Sequence, residues 1–244
     1  MKRIRRKKRL RRELKVWSRL RHDNVVPLYG TVSGFGPFVA LVCPWYDKGS
    51  LSCYLESLGE TLSMINRFQL LGDVSAGLQY LHSCSVVHGD LTGSNVLISS
   101  DGRAHLSDFG LSVIVVEFVG TSYFTSALSG TVRWTAPELL AIPEEDSATI
   151  IPTSQSDIYS FGCIMFQVLT GKAPYSEFKR DAQVVVAISL GTKPLRSESP
   201  AIIDHHWGFI LNCWSIKDYR PSVQHVDEYI KGQLHILQHE TSSD

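Results

Sequence analysis

The stretch His88-Gly89-Asp90-Leu91-Thr92-Gly93-Ser94-Asn95, followed thirteen residues later by Asp108-Phe109-Gly110, decides the fold. Two short apolar runs, 96–99 and 104–107, lie between these motifs on either side of the sequence Ser100-Asp101-Gly102. Apolar runs that flank an Asp-Gly turn predict a β-hairpin. Because a hairpin returns the chain to its starting point, we expect the second motif to lie beside the first.

This hairpin would bring two carboxylates and one amide together, those of Asp90, Asp108 and Asn95. Oxygen ligands of this kind suit Mg²⁺, and a carboxylate beside a bound phosphate can accept the proton of an attacking hydroxyl. Each motif alone is a weak signal, because a lone Asp in a loop is usually a cap or a turn residue. The ordered set therefore predicts a site for a Mg²⁺-bound phosphate and a reacting hydroxyl.

The sequence Thr135-Ala136-Pro137-Glu138 follows these motifs, and the whole set resembles the eukaryotic protein kinases, whose signatures are His-Arg-Asp, Asp-Phe-Gly and Ala-Pro-Glu. The resemblance covers nearly all of residues 3–230. It implies an α+β fold with a mainly helical large lobe and an incomplete small lobe. We expect a partial small lobe over 1–46, the large lobe over 47–237 and a tail over 238–244.

The resemblance implies a role for each polar residue of the two motifs. Asp90 would take the proton of the substrate hydroxyl, and Asn95 and Asp108 would hold Mg²⁺ on the phosphates of ATP. Leu97 would lie under the adenine and supply apolar contact.

Further nucleotide contacts are implied before the large lobe. Glu13, on a helix expected over 3–21, matches the glutamate that pairs with a strand lysine in the family. Cys43 matches the residue at the back of the nucleotide pocket, and we expect it to be a small buried hydrophobe. The Pro44 carbonyl and the Tyr46 amide would bond the edge of the adenine.

Two implied roles are structural. Asp157 would hold the backbone of the catalytic loop by hydrogen bonds, and Arg220 would pair with Glu138. Apolar spacing also predicts a helix over 66–83 and β-strands over 25–32 and 38–45.

Three departures from the family pattern bear on activity. Gly89 replaces the arginine that pairs with a phosphorylated activation segment. Thr92 replaces the lysine of many Ser/Thr kinases, and its hydroxyl can donate one bond to a phosphate but brings no charge. No glycine-rich loop and no Val-Ala-Ile-Lys strand precedes Glu13 within these 244 residues.

Two interpretations follow from these departures. The chain can be a truncated kinase that transfers the γ-phosphate of ATP to Ser/Thr, or else Tyr, hydroxyls, and is weak or inactive as it stands. Alternatively, it can be a catalytically dead, pseudokinase-like module for binding or scaffolding. Gly130-Thr131 is similar to Ser/Thr kinases and Val132-Arg133-Trp134 to tyrosine kinases, a mixture that resembles the tyrosine-kinase-like group. The catalytic loop also resembles that of fungal kinase families.

Charge is unevenly distributed along the chain. The net charge is zero, but residues 1–22 hold 12 Lys/Arg against the single acidic residue Glu13. A solvated helix face explains this basic start better than a nucleic-acid surface, because no aromatic residue interleaves it before Trp17. We therefore expect protein substrates or signalling partners, and no nucleic acid.

The cysteines and the apolar runs indicate the cellular compartment that we expect for this protein. The five cysteines show no paired spacing, which fits reduced thiols. The longest apolar stretch, 158–169, is too short to span a bilayer. We expect a cytoplasmic protein without a membrane segment.

Overall fold

The computed structural model describes residues 17–34, 40–109, 130–141, 151–196 and 202–240. Its strands are β1 (Gly30–Val32), β2 (Ala40–Val42), β3 (Val96–Ile98) and β4 (Ala104–Leu106). Its α-helices are α1 (Leu51–Leu58), α2 (Met64–Ser83), α3 (Ser154–Thr170), α4 (Asp181–Ser189), α5 (Asp204–Cys213) and α6 (Val223–Glu240). This mainly helical α+β architecture confirms the predicted fold class.

Helix α2 forms where the apolar spacing predicted a helix. Ser63 caps its N-terminus by accepting a hydrogen bond from the amide of Asn66, which satisfies one of the unpaired first-turn donors. The predicted apolar residues Phe68, Leu71, Val74, Leu78 and Leu81 are all buried. The helix therefore packs one continuous apolar face into the core, mainly against α6, α3 and β4.

Helix α3 is buried on all sides. It begins with a capping box between Thr153 and Ser156 and ends at Gly171, whose φ of 73° is the left-handed conformation that favours glycine. Every residue from 156 to 169 is buried. A helix that is apolar all round belongs in a core or a membrane. None of the described helices is long and apolar enough to cross a membrane.

The hairpin between the two site motifs forms as predicted. Strands β3 and β4 pair antiparallel, with Val96 opposite Leu106 and Ile98 opposite Ala104. An ion pair fastens the hairpin to α2, because the Asp73 carboxylate accepts bonds from Arg103 Nε (2.9 and 2.8 Å). The orientation of the site motifs is therefore fixed against the longest helix of the core.

The predicted strand over 25–32 is wrong in its first half. Strand β1 pairs with β2 only from Gly30, whereas the segment before it pairs with β4. The Val26 amide donates to the Leu106 carbonyl at 2.9 Å, and the Leu106 amide donates to the Asn24 carbonyl at 2.9 Å. The backbone groups of Asn24 and Val26 therefore bond to Leu106, about 80 residues away in the chain, and not to a neighbouring strand as the local pattern predicted.

Only the end of the predicted N-terminal helix lies within the described residues. Trp17 is helical, and residues 18–19 form a turn, so the predicted helix over 3–21 ends four residues early. Glu13 lies outside the described residues. Trp17, Leu20, Val25 and Leu28 belong to the same apolar cluster as the helical core. The described start of the chain is therefore packed onto the helices.

The predicted pairing of Arg220 with Glu138 is confirmed. The guanidinium donates to both carboxylate oxygens, at 2.6 and 2.8 Å, and also to the backbone carbonyls of Ser215 (2.9 Å) and Gln155 (2.8 Å). Burial raises the pKa of Glu138, but the Arg220 hydrogen bonds and charge outweigh it, so the pKa lies below its usual range. The buried arginine is thus fully partnered, as a buried charge must be.

Candidate active site

The catalytic-loop candidate, residues 88–95, is held by one carboxylate. Asp157, in the first turn of α3, accepts bonds from the amides of His88 and Gly89, each at 2.8 Å. It also contacts His82 Nε2 at 2.8 Å. Its side chain is 1% exposed, so these three contacts replace water for a buried carboxylate. The structural role predicted for Asp157 is confirmed.

His88 connects the loop to the Asp-Phe-Gly motif. Its ring is fully buried, which lowers its pKa to about 4, so the imidazole is neutral at pH 7. The ring lies edge-on to Phe109, with centroids 6.2 Å apart, and Phe109 lies edge-on to Trp17 at 5.0 Å. This row of rings fixes the residue that follows Asp108 between the loop and the N-terminal segment.

The middle of the loop is closely packed at Gly93, where a larger residue would displace neighbouring side chains. The Gly93 carbonyl accepts a bond from the Ser52 amide at 3.0 Å. A Cβ atom on Gly93 would lie 2.4 Å from Ser52 Oγ and 2.5 Å from Gln167 Oε1. The preceding Thr92 is only 2% exposed. Its buried hydroxyl has no hydrogen-bond partner among the described residues, and the expectation that it donates to a phosphate stays a prediction.

Asp90 and Asn95 form the centre of the site. Asn95 Nδ2 donates to the Asp90 carbonyl at 2.8 Å and to Asp90 Oδ2 at 3.0 Å. The Asn95 carbonyl accepts from Ser107, both from its amide (2.9 Å) and from its hydroxyl (3.0 Å). Because Ser107 immediately precedes Asp108, the three side chains predicted to converge are brought together.

Asp108 has an unusual backbone. Its φ is 55°, in the left-handed region that a residue other than glycine rarely adopts. Conformations of this kind cost free energy and persist where the surrounding contacts enforce them, often at functional sites. Here the enforcing contacts are the Ser107 hydrogen bonds on one side and the buried Phe109 ring on the other.

The electrostatics of the pair of aspartates suit acid–base chemistry. Burial raises the pKa of Asp90 to about 6, the hydrogen bond from Asn95 opposes this rise, and the nearby charge of Asp108 adds to it. A carboxylate with a pKa near physiological pH is deprotonated yet basic enough to accept a proton. A shifted pKa of this origin is typical of functional sites.

The oxygen donors of the site fit Mg²⁺. The Asn95 amide nitrogen is engaged by Asp90, and no described residue occupies the amide oxygen. The Asp108 side chain is exposed. Mg²⁺ commonly takes one or two protein oxygens and completes its octahedron with phosphate oxygens and water. That pattern agrees with the described residues, which include no group of three or more His, Cys, Asp and Glu able to hold a metal alone.

The segment between β2 and α1 carries the predicted adenine contacts. Among the described residues, neither the Pro44 carbonyl nor the Tyr46 amide takes part in a hydrogen bond. The Tyr46 ring lies 4.8 Å from the ring of His105, and burial raises the pKa of its phenol to about 12. Leu97 is half-buried on β3. These groups remain candidates for the nucleotide.

The predicted burial of Cys43 is wrong. The thiol is exposed, because strand β2 ends at Val42 and the described residues provide no layer over its end.

The sequence did not reveal three supporting contacts. His82 contacts the Asp157 carboxylate, and the Ser107 hydroxyl donates to the Asn95 carbonyl. The Gln167 amide donates to the Ser52 hydroxyl beside the loop at 3.0 Å. Ser107 could have been found, since it precedes the Asp-Phe-Gly motif directly. Gln167 lies far from the loop in sequence. His82 lies only six residues before His88, but its partner Asp157 is 75 positions away, and no local pattern marks either contact.

Comparison with known proteins identifies relatives over most of the chain. The family model described as protein tyrosine and serine/threonine kinase matches residues 1–230. Ephrin type-A receptor 5 of Homo sapiens is 31% identical over 204 residues, which are 83% of this chain and 18% of the receptor. The receptor of the same name from Gallus gallus is 31% identical over 220 residues, 89% of this chain and 20% of the receptor. This chain spans about a fifth of the length of these relatives.

Proposed function

Because this chain belongs to the protein tyrosine and serine/threonine kinase family, we propose that its site transfers the γ-phosphate of ATP to hydroxyl groups of protein substrates. The observation that best supports this proposal is the hydrogen bond from Asn95 to the Asp90 carboxylate beside Asp108. It joins a candidate proton acceptor to a candidate metal ligand in one rigid unit.

Each residue of the unit has a separate task in the proposed reaction. Asp90 accepts the proton of the substrate hydroxyl. Asn95 and Asp108 would hold Mg²⁺ through their side-chain oxygens, where the ion would supply charge neutralisation on the phosphates. The Asn95 amide also keeps the Asp90 carboxylate in place. Positioning and charge account for most catalysis of this kind, so the rigid support from Asp157 matters as much as the reacting groups.

The adenine is proposed to lie against the segment after β2. The Pro44 carbonyl and the Tyr46 amide, both without partners among the described residues, offer an acceptor and a donor to its edge. Leu97 supplies apolar contact, and Cys43 lies next to the same segment. The role proposed for Glu13, as a partner of a phosphate-binding lysine, rests on the family resemblance alone.

The preferred acceptors are proposed to be Ser and Thr, with Tyr as the second choice. This preference rests on the likeness of residues 130–134 to the tyrosine-kinase-like group. Arg133 anchors that segment by donating to the carbonyls of Pro174 (3.2 Å) and Phe178 (2.8 Å). All five cysteines are free thiols, which supports a cytoplasmic location.

Two observations favour the alternative, an inactive binding module. Gly89 provides no charge for a phosphorylated activation segment, and the buried Thr92 provides none for the transferred phosphate. The two functions differ in one measurable property, since only the first includes phosphate transfer.

A restoration assay separates them. The 244-residue chain and the same chain preceded by a glycine-rich loop and a lysine-bearing strand from a kinase of this family are each incubated with Mg²⁺-ATP labelled at the γ-phosphate and with Ser, Thr and Tyr peptides. We expect little transfer by the first form, because it lacks the lysine and the lid, and clear transfer by the second. If the extended form folds and binds ATP but transfers no phosphate, the inactive module is favoured.

A further inference from the structure

The last turns of α6 carry two exposed histidines on one face. His235 and His239 are four residues apart, a spacing that places both side chains on the same side of a helix. Their Nε2 atoms lie 3.0 Å apart and their ring centroids 4.2 Å apart. Nothing in the proposed phosphate transfer uses these residues.

We propose that His235 and His239 form a binding site for a first-row transition-metal ion of the Cu²⁺, Ni²⁺ or Zn²⁺ class. Imidazole nitrogen is a preferred ligand of all three ions. Two histidines at this helical spacing are the pair with which zinc metalloproteases hold their metal. Two nitrogens bound to one tetrahedral ion lie about 3.3 Å apart, given metal–nitrogen bonds of about 2.0–2.1 Å. The observed separation of 3.0 Å therefore requires only a small opening of the pair.

Metal binding at this pair changes the tautomer of one ring and releases no proton. One Nε2 now carries the hydrogen that it donates to the other Nε2. When the ion binds, that hydrogen moves to Nδ1 of the same ring, and the lone pairs of both Nε2 atoms point to the metal. Water completes the coordination sphere, because no third His, Cys, Asp or Glu joins the pair among the described residues.

The charges around the pair permit a cation. Lys231, one turn before His235, is held by Asp227 at 2.6 Å, so its ammonium charge is compensated. The carboxylate of Glu240 follows His239 in the chain.

Other histidines in this region do not form such a pair. His205 and His206 are adjacent in sequence, so their side chains leave α5 in different directions. Each of their Nε2 atoms instead contacts the side-chain amide of Gln233, at 3.3 and 3.2 Å. The geometry that points to a metal is specific to the end of α6.

A metal at this site would act on the stability of the helix end. The buried residues of α6 are Val223, Val226, Asp227 and Ile230, all in its first half, and in the second half Leu234 and Leu237 are only partly buried against the core. The last four carbonyls of a helix have no partner within it, so exposed ends fray. A metal bridge between His235 and His239 ties one turn to the next and should slow this fraying.

The test is a metal titration of the full 244-residue chain, produced without a histidine tag and with its exposed cysteines blocked by N-ethylmaleimide. CuCl₂, NiCl₂, ZnCl₂ and MgCl₂ are titrated by calorimetry against wild type, His235→Gln and His239→Gln. His225→Gln is the matched control, since His225 is exposed on the same helix but has no histidine four residues away.

We expect one ion per chain, with Cu²⁺ bound most tightly, and affinity weakened by roughly tenfold or more in either pair variant but not in the control. Hydrogen exchange of the amides of 236–240 should slow on adding the metal to wild type only. Equal affinity in wild type and both pair variants, or binding without slower exchange, would overturn the proposal.

Discussion

Replacing Asp90 with asparagine is expected to lower the rate of phosphate transfer by about 10²–10⁴-fold, the usual contribution of a general base. The same variant is expected to be more stable than wild type at neutral pH, by about 1–2 kcal/mol. A lower transfer rate together with a higher stability indicates a group that destabilises the fold but is needed for the reaction. The rate is measured in the extended chain of the restoration assay, and stability in the 244-residue chain.

The gain in stability depends on pH in a defined direction. Burial raises the pKa of Asp90 in the folded protein from 3.8 to about 6. Above pH 6 the folded protein holds a buried charge that the unfolded chain solvates, which destabilises the fold. As the pH falls below 6 the folded protein takes up a proton before the unfolded chain does, so this penalty disappears. The advantage of Asp90→Asn should therefore be fully present at pH 7.5 and reduced to about a third at pH 4.5, between the folded and unfolded pKa values.

Urea unfolding at these two pH values measures the difference between the variant and wild type. Asp218→Asn, which removes an exposed carboxylate, is the control and should show no comparable change. An Asp90→Asn chain that is less stable than wild type at pH 7.5 would contradict the destabilising buried charge of Asp90. A variant that keeps its full transfer rate would contradict the role of Asp90 as proton acceptor.

Replacing Asp157 with alanine is expected to lower the free energy of unfolding by about 3–5 kcal/mol, the loss typical of breaking a buried charged contact. The carboxylate accepts two backbone amides of the loop, and alanine leaves the His88 and Gly89 amides without an acceptor. An unsatisfied buried donor costs the full desolvation of the group, which is why the loss exceeds that of an ordinary surface change.

Equilibrium urea unfolding checks this result, with Ser154→Ala as the control because Ser154 is exposed in the same turn of α3. The loss of unfolding free energy in Asp157→Asn should lie between those of Asp157→Ala and Ser154→Ala. The amide oxygen of the asparagine still accepts one bond, but its NH₂ group faces a second donor. A loss below about 1 kcal/mol in Asp157→Ala would mean that the loop holds its shape without this carboxylate.

Local patterns were sufficient for part of the fold. Helix α2 and the β3–β4 hairpin depend on apolar spacing and on a turn sequence, and both formed as predicted. The hairpin in turn accounts for the convergence of Asp90, Asn95 and Asp108. The geometry of the site's centre is thus a consequence of about twenty residues of contiguous sequence.

The errors concern contacts between distant parts of the chain, either formed or missing. The segment around Val26 pairs with β4 and not with β2. Cys43 was expected to be buried from its place in the family pattern, but that place does not ensure that a covering layer exists. The Asp157 and Arg220 contacts were predicted correctly only because of the family resemblance, since each joins residues more than sixty positions apart.

The central claim is that Asn95 and Asp108 together hold a Mg²⁺-nucleotide beside Asp90. Titration of the 244-residue chain with ATP, with and without Mg²⁺, tests it in wild type, Asp108→Asn and the exposed hairpin control Asp101→Asn. We predict weak binding that requires Mg²⁺ and that becomes roughly tenfold or more weaker in Asp108→Asn, because a charge-assisted contact of about 1.5–3 kcal/mol is lost. ATP affinity that is the same without Mg²⁺, or the same in Asp108→Asn as in wild type, would contradict the claim.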